Sequence, residues 1–109
     1  MKPSVRLALV AALALLAPSA HAAAKPLPAT VTVPISHFRF QMDVTVPVGG
    51  LVVWKNLDGE PHTVVATGGL FRSAALDQGD TFAFKFTKPG VYSYLCSIHP
   101  QMRASVTVR

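Results

Sequence analysis

From Phe38 to Val46 the chain alternates without a break. Phe38, Phe40, Met42, Val44 and Val46 point one way, and Arg39, Gln41, Asp43 and Thr45 the other, the signature of a half-buried strand or of two short ones with a bend. The same period of two recurs along the chain. Val31, Val33 and Ile35 share a face in a strand over Thr30 to Ile35, and Phe82, Phe84 and Phe86 share one over Thr81 to Thr87. Further strands are expected over Leu51 to Lys55, Thr63 to Thr67 (opened by His62), Val91 to Cys96, and Arg103 to Val108. Turn chemistry separates them: Pro47-Val48-Gly49-Gly50, Asn56-Leu57-Asp58-Gly59-Glu60-Pro61, and Lys88-Pro89-Gly90. Beyond the first 22 residues no stretch of ten carries a helical apolar period. About seven short strands argue for an all-β domain, an antiparallel β-sandwich.

The N-terminus has a different pattern. Lys2 and Arg6 precede an apolar run from Leu7 to Ala17, Pro18 ends it, and Ala20-His21-Ala22 places small residues where a signal peptidase reads. The run is short of the ~20 residues that span a bilayer. Residues 1–22 are therefore expected to be a cleaved signal peptide, 23–29 a proline-spaced leader, and 30–109 the folded domain. The mature protein is expected in the periplasm or otherwise outside the cytoplasm, free of the membrane. Lys2 and Arg6 leave with the signal, so eight Lys and Arg face five acids and the net charge falls from +5 to about +3. With no basic run, nucleic acid is not an expected partner.

Export changes the meaning of the single cysteine, Cys96. A lone thiol in an oxidising compartment is buried and inert, bridged to another chain, or protected by a metal. Its neighbours favour the metal. Cys96-Ser97-Ile98-His99-Pro100-Gln101-Met102 offers a thiol, an imidazole and a thioether in one loop, and His62 supplies a second imidazole. A thiolate, two neutral imidazoles and a weak thioether suit copper in a trigonal His₂Cys site with a long axial Met. Zinc accepts Cys and His, but its usual fourth ligand is not a thioether. His21 leaves with the signal, and His37 is read as ordinary surface.

The segments Val52 to Val64 and Lys88 to Met102 resemble the first-histidine region and the ligand loop of the cupredoxins, and the likeness runs from about Val31 to Val108. The loop spacing is similar to the shortest arrangement in the plastocyanin-like group. The resemblance implies a Greek-key β-sandwich, one type 1 copper held by His62, Cys96, His99 and Met102, and a soluble monomeric electron carrier. It implies an apolar exit for the electron around His99, with Pro61, Leu70, Phe71, Ile98 and Pro100 as candidates. Redox proteins of the cytochrome or dehydrogenase class would dock there. Two positions depart from the pattern: Thr63 stands where the family commonly has asparagine, facing Ser97, and Ile98 where short-loop members have proline.

Other functions are poorly served. A multicopper enzyme needs more histidines, a dinuclear copper centre needs a second cysteine, and no Ser-His-Asp set or paired carboxylates suggest another catalyst. A copper store, buffer or delivery factor could use the same ligands, though Met-rich and His-rich tracts are absent from the sequence. A metal-free β-sandwich interaction domain leaves the unpaired Cys96 unexplained.

Overall fold

The computed structural model describes residues 1–5, 8, 10–12, 14 and 26–109, so most of the expected signal segment and its cleavage site lie outside the described residues. Eight strands follow in order: β1 (Thr30–Ser36), β2 (Arg39–Phe40), β3 (Val44–Val46), β4 (Leu51–Asn56), β5 (Val65–Ala66), β6 (Thr81–Lys85), β7 (Gly90–Leu95) and β8 (Arg103–Val108). They form two four-stranded sheets, ordered β2-β1-β4-β6 and β3-β8-β7-β5. Among the described residues no helix is long and apolar enough to cross a membrane. The all-β sandwich is as expected.

The expectation of purely antiparallel sheets needs correction. β1 runs parallel to β4, with Thr30 opposite Leu51 and Ile35 opposite Asn56, and β3 runs parallel to β8. The reason lies in the connections. Only β1–β2 and β7–β8 follow one another within a sheet; every other connection crosses to the opposite sheet. Neighbours in a sheet are therefore often distant in sequence, and nothing forces them into hairpins.

The core is where the inward faces of the two sheets meet. Val33, Ile35, Val52 and Trp54 from one sheet meet Val46, Tyr94, Val106 and Val108 from the other, all buried. Between the sheets, Phe71 packs against Trp54 at a ring-centroid distance of 5.6 Å, Phe84 at 5.0 Å and Phe86 at 5.7 Å. Aromatic contacts of this kind add to the area they bury.

The alternating stretch from Phe38 to Val46 is divided. β2 ends at Phe40 in one sheet and β3 begins at Val44 in the other. Phe40, Val44 and Val46 are buried because both sheets face the same interior, whereas Phe38 and Met42, in the connections, are exposed. The expected strand after His62 shortens to Val65–Ala66, and His62 instead makes an isolated antiparallel bridge to Leu76.

The parallel β1–β4 pairing decides what meets at the end of the sandwich. It brings the end of β1 beside the end of β4, where the Leu57 N–H donates to the Ile35 carbonyl at 2.8 Å. At that same end β7 gives way to the loop that leads into β8.

Candidate metal centre

His62, Cys96 and His99 converge, with one donor atom from each lying within 4.8 Å of the others. They arrive from two separately anchored segments, one carrying His62 and the other both Cys96 and His99. Asn56, wholly buried at the end of β4, organises the loop before His62. Its amide donates to the carbonyls of Glu60 and Leu76, each at 2.8 Å, and its side-chain oxygen accepts the Asp58 N–H at 2.9 Å. The last contact is a turn in which an Asn side chain replaces a backbone acceptor. His62 is then fixed by reciprocal backbone bonds with Leu76, at 3.1 and 2.7 Å.

The other donors share one tight loop. The Cys96 N–H donates to the Met102 carbonyl at 3.1 Å, and the Met102 N–H donates to the His99 carbonyl at 2.9 Å. Cys96 and Met102 are buried, 0% and 3% exposed, while His99 is half-buried.

The His62 ring has its two nitrogens assigned by their surroundings. Nε2 donates to Asp58 Oδ2 at 2.8 Å, since an ionised carboxylate can only accept, and Nδ1 faces Cys96 Sγ at 3.9 Å. The second nitrogen of a metal-binding imidazole is commonly held by a carboxylate in this way, which fixes tautomer and ring direction. Burial raises the Asp58 pKa, but the Phe38 N–H, the His62 ring and the His37 N–H outweigh it and hold the carboxyl below its ordinary range. His99 turns its own Nδ1 toward Sγ at 3.8 Å.

Burial likewise pushes the Cys96 thiol up. The backbone N–H groups of Thr63 and His99, with both imidazoles, reverse that and bring its pKa down to about 6. The thiolate, the form that binds metal, is thus favoured at neutral pH.

Thr63, one of the two positions that depart from the family pattern, braces the site through its hydroxyl and its backbone. The Ser97 N–H donates to Thr63 Oγ1 at 2.8 Å, the two hydroxyls lie 2.8 Å apart, and the Thr63 N–H donates to Cys96 Sγ at 3.4 Å. A short Thr–Ser link therefore ties the His62 segment to the cysteine loop.

The donor chemistry fits copper: a low-pKa thiol and two imidazoles brought together, with a thioether in the same loop. Comparison with known proteins agrees. A family model described as a cupredoxin-like domain matches residues 6–108. The chain belongs to the cupredoxin-like family. It is similar to amicyanin-alpha of Methylorubrum extorquens, with 35% identity covering 94% of this chain and 92% of the relative. It is 32% identical to the amicyanin of Paracoccus denitrificans, covering 83% and 73% respectively. Among solved structures, an amicyanin variant with Cu(I) superposes with a TM-score of 0.70 at 25% identity, covering 78% of this chain and 87% of that one. An oxidised amicyanin variant does so with a TM-score of 0.70 at 28% identity, covering 74% and 83%.

This cupredoxin, with His62, Cys96 and His99 brought together, is a type 1 copper protein of electron transfer that works with redox partners. Of the five residues expected around its electron exit, Leu70, Ile98 and Pro100 are exposed and Pro61 is half-buried. Phe71 is 5% exposed and belongs to the aromatic core, so it cannot line a surface. Sequence reasoning missed Asn56 and Asp58. An acid four residues before a candidate ligand in a turn-rich loop was the available signal for Asp58.

Proposed function

We propose that His62, Cys96, His99 and Met102 ligate one type 1 copper and that the mature protein is a periplasmic single-electron carrier, not an enzyme. The observation that carries this is the meeting of three donor atoms within 4.8 Å around a thiol whose pKa is brought down to about 6. The burial of Met102 and its backbone bond to His99 support its inclusion as the weak fourth ligand.

Bound copper supplies the one-electron couple between Cu(I) and Cu(II). The protein supplies rigidity and access. Asp58 keeps His62 in the tautomer with Nδ1 free, and Thr63 directs its N–H at Sγ while holding the Ser97 backbone. A donor set fixed from several sides limits the rearrangement that accompanies a change of oxidation state. His99 is half-buried between exposed Ile98 and exposed Pro100, so its ring is the route by which a partner reaches the centre. A small apolar contact suits a cytochrome-class or dehydrogenase-class partner that must leave quickly. In this reading residues 1–22 are the cleaved signal, 23–29 the leader and 30–109 the copper domain.

Adding Cu(II) to the mature chain tests the ligand assignment. An intense thiolate-to-copper absorption is expected, lost in Cys96→Ala and changed in band ratio in Met102→Leu. A colourless parent, or a band that survives Cys96→Ala, overturns the assignment. Mass spectrometry of the protein recovered from the periplasm tests the signal, with an N-terminus at or near Ala23 expected.

A further inference from the structure

The turn between β1 and β2 is built from residues that do not suit it. His37 and Phe38, at φ of 53° and 56°, are the two non-glycine residues at positive φ among those described. They form the two-residue connection of a hairpin in which Ser36 faces Arg39. A connection with φ > 0 at both positions favours pairs such as Asn-Gly. A bulky aromatic residue there is an outlier, and such a conformation persists only where the surroundings enforce it, as functional sites do.

Asp58 enforces it. The carboxylate accepts the His37 N–H at 2.8 Å and the Phe38 N–H at 3.0 Å, and its second contact group is the His62 ring. One side chain therefore fixes both the turn and the first histidine.

What the turn presents is the Phe38 ring. It is 45% exposed, so core burial does not account for it. It stands edge-on to both imidazoles, 5.4 Å and 88° from His62 and 5.1 Å and 85° from His99. The two imidazoles are themselves 5.1 Å apart, so the three rings close a triangle. His62 is held independently by Asp58 and by complete burial. His99 is not: among the described residues its ring has no hydrogen-bond partner other than Cys96 Sγ.

We propose that Phe38 is a positioning residue of the copper centre, its ring held by the strained turn so as to fix the angle of the His99 imidazole. The proposal rests on the ligand assignment above. The unfavourable turn residues are retained because a favourable Asn-Gly turn would carry no ring. Edge-to-face packing supplies the restraint that hydrogen bonding does not give His99.

Phe38→Gly separates this role from a structural one, because glycine relieves the positive φ while removing the ring. The expected result is a urea midpoint unchanged or raised. At the same time the His99 ring protons of the metal-free protein should lose their ring-current shift in NMR. Release of Cu(I) to a chelator should speed up by about tenfold, the range seen when groups supporting metal ligands are removed. Phe38→Tyr should restore the parent behaviour. Phe38→Leu, which keeps apolar bulk at the same backbone angle, should behave like the glycine variant in both NMR and release. Unchanged His99 shifts, or release within about twofold of the parent in Phe38→Gly and Phe38→Leu, overturns the positioning role. If the parent itself gives no thiolate-to-copper band, the ligand assignment fails and this role fails with it; a coloured parent with unaffected variants removes this role alone.

Discussion

Asp58 shows how one side chain can serve two segments, and its replacement should reveal both duties. Asp58→Asn keeps the shape but loses the charge and one acceptor, so His62 and the β1–β2 turn compete for what remains. Copper affinity is expected to fall by about tenfold or more, measured by competition with a chelator of known affinity. Cys96 offers a second reading at this scale. Its pKa is brought from an ordinary 9.0 to about 6 in the folded chain. In metal-free protein the ultraviolet absorbance of the thiolate should therefore appear with a midpoint near 6. Between about 6 and 9 the unfolded thiol holds a proton that the folded one has released, so unfolding takes up protons and stability rises with pH. This contribution is complete above the unfolded value and is lost as pH falls through about 6. Urea midpoints of the metal-free protein should climb across that window, and the climb should be shallower in Cys96→Ala, so that the two curves diverge as pH rises. A parallel pair of curves would show the thiolate to be no more stable in the fold than outside it.

At the scale of elements, the aromatic cluster on Phe71 joins the two sheets, with Trp54, Phe84 and Phe86 on one side and Tyr94 of β7 on the other. Phe71→Ala should cost about 3–5 kcal/mol, read as a loss of urea stability, while a placement at the electron exit would have made the same change nearly silent. The sequence misplaced this residue because it lies in the irregular segment between β5 and β6, where no period separates an inward ring from an outward one. Where a strand exists, the period was reliable: Val33, Ile35, Phe40, Val44 and Val46 all face the interior. Alternation reports which face is buried, not which sheet a strand joins or which way its neighbour runs. The passage from β2 to β3 between sheets was therefore invisible, and so was the parallel β1–β4 pair. That pair sets the His37–Phe38 turn beside the loop carrying Asp58. The four proposed ligands were legible because three share one short loop of unusual chemistry. Asn56, Asp58 and Phe38 were not, because their parts in the site arise only when separate loops meet.

The whole molecule positions those loops at one end of the sandwich and, with residues 1–22 removed as proposed, surrounds them with a polypeptide of net charge about +3. That charge acts on every encounter of the carrier, including encounters between two copies of itself. Electron self-exchange between the Cu(I) and Cu(II) forms brings two such molecules together. At a centre separation of roughly 30 Å the unscreened repulsion in water is about 1 kcal/mol. With a Debye length of ~30 Å at 0.01 M ionic strength, roughly a third of this persists, whereas at 0.15 M the length is ~8 Å and almost none does. Self-exchange, measured from NMR line broadening in mixtures of the two forms, should thus accelerate about twofold over that range of salt. A partner with an acidic docking surface should show the opposite trend, because the same charge then draws the two proteins together. A self-exchange rate that falls as salt is added would mean that oppositely charged groups on the two copies pair across the contact around His99. The exposed residues there argue against that outcome: Ile98 and Pro100 are apolar, and Arg103, just beyond Met102, is a cation.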